Sequence, residues 1–329
     1  MDNKYHIVID TLGSDKGPGE ILLGAKQVLE ENENVNITLV GDEDLIKQAG
    51  LPLDRIKIID AKETVTNYDN PVEAFYKKEK VSIFLALKEV AEDEKAIGII
   101  SSGNTGAVMV GTLRYLLNEK RTRPALAAVL PTTTPNKFTC LVDTGASIDV
   151  GPTQLVEFAH LGSDFMRQLY KIDSPRVALL SNGAEDTKGN KVVKETNKLL
   201  KEEPGINFVG NVEGSKVLND LCDVLVCDGF AGNQVLKNTE GMAKRFITDI
   251  VVYSKKKNRP EFMEVAQYLM KTYDISALGG GMLLGTRKLI IKARGNSDER
   301  AIVNIARMLI NYASGDALFT KKEREDALR

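Results

Sequence analysis

The sequence predicts an α/β fold in which a mostly parallel sheet lies between two layers of helices. Three observations support this prediction. Short runs of β-branched and other apolar residues recur along the chain, and each run is followed by a turn rich in Gly, Asn or Asp and then by a helical pattern. The runs are continuously apolar, as in strands buried on both faces. In one later stretch this alternation of strand and helix is interrupted, and two helical patterns follow each other without a strand between them.

Seven strings of strand and turn give the order of the predicted strands. In chain order they are IVIDTLGSD from Ile7, ITLVGDED from Ile37, IGIISSGNTG from Ile97, FTCLVDTGAS from Phe138, VALLSNGAED from Val177, INFVGNVEG from Ile206 and VLVCDGFAGN from Val224. In each string the polar turn follows the strand, at its carboxyl end. Ligands of open α/β sheets bind outside that edge, so we expect the functional residues to gather there.

The stretch without strands covers residues 234–273 and predicts a helical hairpin. Its first apolar stripe contains Val235, Met242, Phe246, Ile247, Ile250 and Val251, and its second contains Phe262, Val265, Ala266, Leu269, Met270 and Tyr273. The polar link SKKKNRPE separates the two, with Pro260 as a helix breaker. We expect the hairpin to bury its stripes against a second subunit of a homodimer. The alternative is that it folds back onto its own domain.

Length and composition limit the possible classes of protein. The 329 residues suit a large α/β domain, and we expect a single domain over residues 1–329. The net charge of −2 gives no reason to expect a nucleic-acid partner. Three cysteines without CxxC spacing predict buried, inert thiols rather than disulfides or a zinc site. The sequence has neither an apolar signal core nor an apolar run long enough to span a membrane, so we expect a cytoplasmic location.

The clearest candidate for an anion site is the string SSGNTGAVM, in which Ser102, Gly103, Asn104, Thr105 and Gly106 follow a strand and lead into a helix. We call residues 102–106 the anion loop. The free amides and positive dipole end of a helix N-terminus attract anions, and phosphate is a common guest. The string is neither a Walker loop nor a dinucleotide fingerprint. The alternative is an ordinary tight turn between strand and helix.

A second candidate is the polar loop, residues 182–190, which crowds Glu185, Asp186, Lys188 and Asn190 around two glycines. Such a crowd after a buried strand is suited to hold a substrate by charge-assisted hydrogen bonds. The alternative is a solvated loop that precedes an N-capped helix.

Other charged residues stand at predicted strand ends or in turns. The acidic ones, each beside small residues that leave room for a ligand, are Asp10, Asp15, Asp143 and Asp228. The basic ones, which would bind phosphate oxygens, are Arg123, Lys188 and Arg294. The carboxylates form no dedicated cage, so we expect no metal. The two histidines, His6 and His160, lie in strand-like and helical contexts that favour structural roles, and no GxSxG string is present.

Eight strings together carry a resemblance to a known family. In chain order they are IDTLGSD, SSGNTGAVM, RTRPALA, DTGASIDVGP, SNGAEDTKGN, FVGNVEG, CDGFAGNQVLK and LGGGMLLG, and the resemblance runs from residue 7 to about residue 312. In this order and spacing they resemble the phosphate acyltransferase (PlsX) family of bacterial phospholipid synthesis. The resemblance implies a fold like that of isocitrate and isopropylmalate dehydrogenases, and a homodimer. It also implies transfer of an acyl group from acyl carrier protein to inorganic phosphate, with phosphate as a substrate and no cofactor.

The resemblance also implies the site residues. The expected catalytic residues are Lys188, Asn190, Asp228 and Asn233. The expected phosphate- and substrate-binding residues are Asp10, Gly13, Asp15, Ser102, Gly103, Asn104, Thr105, Gly106, Arg123, Asp143, Gly145, Glu185, Asn211, Glu213, Gly229, Gly280, Arg294 and Ser297. The chemistry fits without an activated nucleophile, because a thioester is already reactive and the enzyme needs only to align phosphate and stabilise an oxyanion.

Four strings depart from the usual form of the family. DTLGSD replaces DAMGGD from Asp10, GAS replaces GAN from Gly145, GGGM replaces GGAP up to Met282, and Arg294 with Gly295 replaces a His-Gly pair. Arg294 is expected to bind anions more tightly at this corner and to favour a different donor. The hairpin tip, SKKKNRPEF, carries charge where the family has apolar residues, so we expect at most a weak electrostatic contact with the inner membrane surface.

Two alternatives stay open at this point. One is a related enzyme that makes acyl-phosphate from a short-chain protein or coenzyme A thioester, like a phosphotransacetylase. The other is a non-catalytic subunit that binds the carrier, which would require degraded loops. Asn104, Lys188, Asn190 and Asp228 are all present in the sequence, which favours an enzyme.

Overall fold

The computed structural model describes residues 5–66, 68–118, 122–273 and 280–315. The described residues fall into two compact units. Unit 1 contains those up to residue 126, residues 168–171 and those from residue 280 onward, and unit 2 contains residues 127–167 and 172–273. The expectation of a single domain over residues 1–329 stays a prediction.

Strands and helices alternate along most of the described chain. The strands are β1 (Tyr5–Asp10), β2 (Val35–Gly41), β3 (Ile56–Asp60), β4 (Ala96–Ser101), β5 (Ala125–Pro131), β6 (Phe138–Val142), β7 (Arg176–Ser181), β8 (Asn207–Glu213), β9 (Val224–Val226), β10 (Gly281–Leu284) and β11 (Leu289–Lys292). The helices are α1 (Gly19–Glu31), α2 (Glu43–Gln48), α3 (Pro71–Lys77), α4 (Ser82–Glu92), α5 (Thr105–Tyr115), α6 (Pro152–Tyr170), α7 (Lys191–Glu202), α8 (Gly229–Lys257), α9 (Glu261–Tyr273) and α10 (Glu299–Ser314).

The sheet of unit 1 has the strand order β3-β2-β1-β4-β11-β10. All neighbouring strands in it are parallel except β10, which is antiparallel to β11. Ile7, Ile9, Ile99 and Ile100 on its central strands are buried, as the continuously apolar runs predict. Helices α1 and α10 pack together, and the absence of a side chain at Gly24 admits Ile302.

The sheet of unit 2 has the order β5-β6-β9-β7-β8, with β5 antiparallel to β6 and the other pairs parallel. Its core includes Leu141, Ala178 and Leu225, with Leu236 of α8 packed against them. The predicted α/β class with a mostly parallel sheet is confirmed.

All three cysteines are free and buried, as predicted. Burial raises the pKa of Cys222 to about 12 and also raises the pKa values of Cys140 and Cys227. Thiols with raised pKa values carry little thiolate and react slowly.

Two helices occupy the stretch from residue 234 to residue 273. Helix α8 begins at Gly229, five residues before the predicted hairpin, because Asp228 caps it by accepting a hydrogen bond from the Ala231 amide. It ends at Asn258, whose left-handed backbone stops the helix just before Pro260. The two helices pack against each other, and the Tyr253 and Phe262 rings meet edge to face at 5.1 Å.

The outer surface of the two helices is rich in exposed apolar side chains. They are Met242, Phe246, Val252, Tyr253, Val265, Tyr268 and Met270. Among the described residues, no helix combines the length and apolar character that a membrane span requires.

Candidate functional site

In unit 1, the carboxyl ends of three parallel strands bring polar residues side by side. Asp10 ends β1 and pairs with Ser101 at the end of β4, which pairs in turn with Lys292 at the end of β11. The edge expected to carry function therefore carries a carboxylate, a hydroxyl and an ammonium in a row. Ser101 and Lys292 are absent from the predicted site residues. The sequence feature that could have identified them is their position at the end of an apolar run.

Asp10 lies buried at the end of β1. Its side chain is 1% exposed and accepts hydrogen bonds from the Ser101 hydroxyl at 2.7 Å and from the Leu12 amide at 3.2 Å. Burial raises the pKa of Asp10 to about 6, against the lowering effects of those hydrogen bonds and of the charge on Lys292. The Ser101 oxygen also accepts a hydrogen bond from the Gly103 amide at 3.0 Å. Asp10 therefore acts on the anion loop through Ser101.

The anion loop follows β4 and leads into α5 as predicted. Asn104 is the N-cap of α5, since its side chain accepts a hydrogen bond from the Ala107 amide at 3.0 Å. Gly103 packs against Gly13, where a β-carbon would lie 2.7 Å from the Gly103 α-carbon. Thr105 and Gly106, both half-buried, form the first turn of the helix. The glycine at position 103 thus lies in close contact with the turn that contains Gly13.

Ser102 is the unusual member of the anion loop. It is 3% exposed, and its hydroxyl has no hydrogen-bond partner within the described residues. Buried hydroxyls are usually hydrogen-bonded, so the Ser102 hydroxyl is a donor that a ligand can engage.

The other predicted residues of unit 1 lie in turns near the ends of its strands. The Asp15 amide donates to the Gly295 carbonyl at 2.7 Å, which joins the turn after β1 to the turn before α10. In that second turn the Arg294 amide donates to the Ser297 hydroxyl at 3.0 Å, so Ser297 supports the turn. Gly280 precedes β10, and Arg123 is exposed ahead of β5.

In unit 2, Asp143 organises the loop after β6. Its buried carboxylate accepts hydrogen bonds from the amides of Gly145, Ala146 and Ser147, the last at 2.6 Å. The Asn233 side chain, on α8, donates to the Thr144 carbonyl at 3.1 Å. Both side chains therefore hold the loop in shape through hydrogen bonds to its backbone.

The start of α8 packs directly on the Asp143 loop. Gly229 donates its amide to the Ser147 carbonyl at 2.8 Å, and a β-carbon at Gly229 would lie 2.9 Å from the Asp143 carboxylate. Asp228 caps the same helix. The strings DTGAS and CDGFAGN, read separately in the sequence, form one packed structure.

The polar loop is exposed at its tip and anchored at its base. Glu185 and Lys188 are exposed, and the Glu185 carbonyl accepts a hydrogen bond from the Asn211 side chain at 3.0 Å. Asn211 in turn accepts from Asn197 of α7, a buried residue that the sequence patterns did not indicate. Asn190 caps α7 through the Val193 amide at 2.9 Å. The Glu213 side chain pairs with Lys216 at 2.8 Å.

The same kind of helix N-cap therefore recurs after strands of both units. Asn104, Asn190 and Asp228 each follow a strand and cap the next helix. Each cap uses a side-chain oxygen, so the chemistry offered to a ligand comes from amides of the first helical turn and from neighbouring side chains. Such helix starts favour phosphate and developing oxyanions.

Comparison with known proteins identifies relatives of this chain. The family model described as "Fatty acid synthesis protein" matches residues 5–316. A phosphate acyltransferase of Halothermothrix orenii is 40% identical over 311 residues, covering 91% of this chain and 92% of that protein. A phosphate acyltransferase of Thermoanaerobacter pseudethanolicus is 36% identical over 331 residues, covering 98% of each chain.

Two solved structures share the fold at low identity. A phosphotransacetylase from Streptococcus pyogenes superposes with a TM-score of 0.62 at 16% identity, covering 95% of this chain and 94% of that chain. A branched-chain phosphotransacylase from Enterococcus faecalis gives 0.58 at 15% identity, with coverage of 93% and 99%. The resemblance inferred from the eight strings is confirmed by the family match and the near-full-length identities. The chain belongs to the fatty acid synthesis protein family, the family of the phosphate acyltransferases that it resembles.

Proposed function

We propose that this enzyme transfers an acyl group from an acyl carrier protein thioester to inorganic phosphate and so makes acyl-phosphate for phospholipid synthesis. The observation that carries the proposal is the identity of 36–40% to phosphate acyltransferases over nearly the whole chain. The anion loop, with its capped helix and its buried, unsatisfied Ser102 hydroxyl, supports a phosphate seat in unit 1.

The reaction balances without a cofactor or a protein nucleophile. A phosphate oxygen attacks the thioester carbonyl, the new C–O bond forms, and the C–S bond breaks as the oxyanion collapses. The carrier thiol leaves with the electrons of that bond and takes up a proton. Helix-start amides supply the hydrogen-bond donors that stabilise the developing charge.

The test is phosphate-dependent release of the carrier thiol from long-chain acyl carrier protein. We expect thiol to appear at a rate that saturates with phosphate, and acyl-phosphate to accumulate in equal amount. Sulfate in place of phosphate is the control for non-specific hydrolysis. Thiol release that ignores phosphate, or that yields free fatty acid from the start, contradicts the proposal.

A second candidate is an enzyme that uses a short-chain protein or coenzyme A thioester. The observations that favour it are Arg294 and Met282, which replace the usual His and Pro of the family. A panel of acetyl, branched short-chain and long-chain donors on both carriers separates the candidates, because each predicts a different donor with the highest kcat/KM.

We also propose a homodimer formed through α8 and α9. The exposed side chains of Met242, Phe246, Val265 and Tyr268 support this proposal. Apolar surfaces of this kind usually become covered by a partner. Symmetric packing of α8 and α9 against the same helices of a second copy of the chain would bury these side chains.

Finally, we propose a cytoplasmic enzyme with a weak peripheral contact to anionic membrane. Free, buried cysteines fit a reducing compartment. Lys255, Lys256 and Lys257 are exposed in the last turn of α8 and would attract anionic lipid. Sedimentation with phosphatidylglycerol vesicles should show binding that salt abolishes, and equal binding to neutral vesicles contradicts the contact.

A further inference from the structure

One side of helix α7 carries a row of lysines. Lys191, Lys194, Lys198 and Lys201 follow one another at intervals of three or four residues. At about 100° per residue, these positions fall within about 80° of the helix circumference. All four side chains are exposed. We call these four residues the lysine stripe.

The opposite side of α7 packs on the sheet of unit 2. Thr196, Asn197 and Leu200 are buried there, and the helix lies against β7 and β8. Lys191 is about 180° away from Leu200 around the helix axis. The lysine stripe therefore forms part of the outer surface of unit 2.

Three members of the lysine stripe lack an acidic partner. Lys201 pairs with Asp186 at 2.6 Å. The side chains of Lys191, Lys194 and Lys198 form no ion pair within the part of the chain that the structure describes. Their positive charges are therefore available to groups outside the protein.

The charge of this segment differs from that of the whole chain. Residues 187–201 contain five lysines and a single acidic residue, Glu195, whereas the net charge of the chain is −2. Like charges one turn apart on a helix, such as Lys194 and Lys198, reduce its stability. The lysine stripe is thus unfavourable for α7 by itself, and a partner that brings carboxylates to it would relieve the repulsion.

The position of α7 relates the lysine stripe to a predicted substrate site. The helix begins directly after the polar loop, because Asn190 is its N-cap. Its twelve residues extend about 18 Å from that loop. A partner that docks along the stripe could therefore deliver a flexible arm to the carboxyl edge of the sheet of unit 2, where ligands of such sheets bind.

The same surface is less suited to a lipid bilayer. Leu199, with 38% of its side chain exposed, is the one exposed large apolar residue of α7, which the structure describes in full. A helix that lies in a membrane interface needs an apolar face to insert. Charges without such a face suit a protein partner with an acidic surface.

We propose that the lysine stripe docks the acyl carrier protein through carboxylates on the surface of that carrier. The inference rests on the proposed function and names the surface by which the enzyme recognises its donor. Complementary charges of this kind act on association and affinity rather than on the chemical step. The stripe should therefore affect the KM for the carrier-bound donor and leave kcat unchanged.

The experiment uses the full-length variant in which Lys191, Lys194 and Lys198 are all replaced by Gln. Fluorescence anisotropy with labelled acyl carrier protein should show a Kd about tenfold higher than that of wild type. The KM for long-chain acyl carrier protein should rise by a similar factor. Turnover of long-chain acyl-pantetheine, which lacks the carrier surface, should not change. Added salt should weaken carrier binding to wild type more than to the variant.

A matched control removes the same number of charges from unit 1. Lys47, Lys62 and Lys88 are exposed there, and all three are replaced by Gln in the control variant. Exposed lysines of this kind contribute little to stability. The Kd for the carrier should stay within about twofold of wild type. Equal losses in the two triple variants would show a general effect of net charge and would overturn the inference.

Four other outcomes are decisive. Wild-type carrier affinity in the folded stripe variant rejects the docking surface, even if acyl-phosphate still forms. If that variant does not fold, Lys198→Glu decides, and wild-type affinity in it has the same meaning. Loss of binding to phosphatidylglycerol vesicles with carrier binding retained assigns the stripe to the membrane and contradicts the proposal. Stripe-dependent carrier binding by a protein that forms no acyl-phosphate supports the docking surface while rejecting the proposed function.

Discussion

The Ser101 hydroxyl donates a hydrogen bond to the buried carboxylate of Asp10 at 2.7 Å while its oxygen accepts one from the Gly103 amide at 3.0 Å. This chain of two hydrogen bonds connects the end of β1 to the anion loop. Through it, a residue that is 1% exposed can influence the conformation of the anion loop.

The raised pKa of Asp10 predicts a pH-dependent stability. Below about pH 4 both folded and unfolded chains hold this proton. Between about pH 4 and 6 the unfolded chain ionises first, so the free energy of unfolding should fall by up to about 3 kcal/mol for a shift from 3.8 to about 6. Asp10→Asn removes this titration, so the free energy of unfolding of the variant should increase relative to that of the wild type as pH rises. Urea unfolding from pH 4 to 7 checks this, and parallel curves would contradict it.

The three backbone hydrogen bonds that the Asp143 carboxylate accepts, which we call the Asp143 cradle, predict a large loss of stability when this side chain is removed. Asp143→Ala leaves the amides of Gly145, Ala146 and Ser147 without their acceptor, the last of them in a buried place. We expect a loss of about 2–4 kcal/mol in the free energy of unfolding, measured with urea. Asp149→Ala, exposed in the same connection, should change it by less than about 0.5 kcal/mol. Equal losses would refute a structural role for the cradle.

Lys188 remains the best test of the polar loop as a substrate site. It is exposed, and its amide closes a turn on the Glu185 carbonyl at 2.9 Å, so its side chain can be removed with little effect on folding. If it contacts the transition state, Lys188→Ala should lower kcat/KM by about 30-fold or more. Lys88→Ala, on the exposed side of α4, is the control. Full activity in Lys188→Ala removes this residue from the site.

Phe246 tests the proposed dimer. Its side chain is 56% exposed on α8 although it is large and apolar. Phe246→Asp should convert a dimer to a monomer in light scattering, because a charge would be buried without a partner in the interface. Thr248→Asp, about 200° further round the helix, should leave the mass unchanged. A monomeric wild-type protein would end the proposal.

Arg294 tests the departure from the family. It is half-buried in the turn before α10, where its amide donates to Ser297. Arg294→His lowers the charge at pH 7 and keeps the backbone contacts of the turn. We expect a higher KM for phosphate and a shift of preference toward long-chain carrier donors. Unchanged kinetics with every donor would leave Arg294 as a surface residue.

Some strands escaped prediction for local reasons. Strands β10 and β11 form an antiparallel pair, and β10 is followed by a strand rather than by the helix that accompanies the predicted strands. Strand β5, ALAAVLP, is rich in alanine, which favours helices in isolation. The neighbouring strands override these local preferences by supplying backbone hydrogen bonds and burial.

The sequence by itself determined the α/β class, the places of the polar loops after strands and, through eight strings in order, the family. Apolar runs and turn residues act over a few neighbours, and these features follow from such local effects. Only the tertiary structure decided that Asn104, Asn190 and Asp228 are helix caps. It also placed Lys292 beside Ser101, which precedes it by nearly two hundred residues. The physical reason is that a parallel sheet chooses its neighbouring strands by long-range hydrogen bonding and packing, and no local pattern encodes that choice.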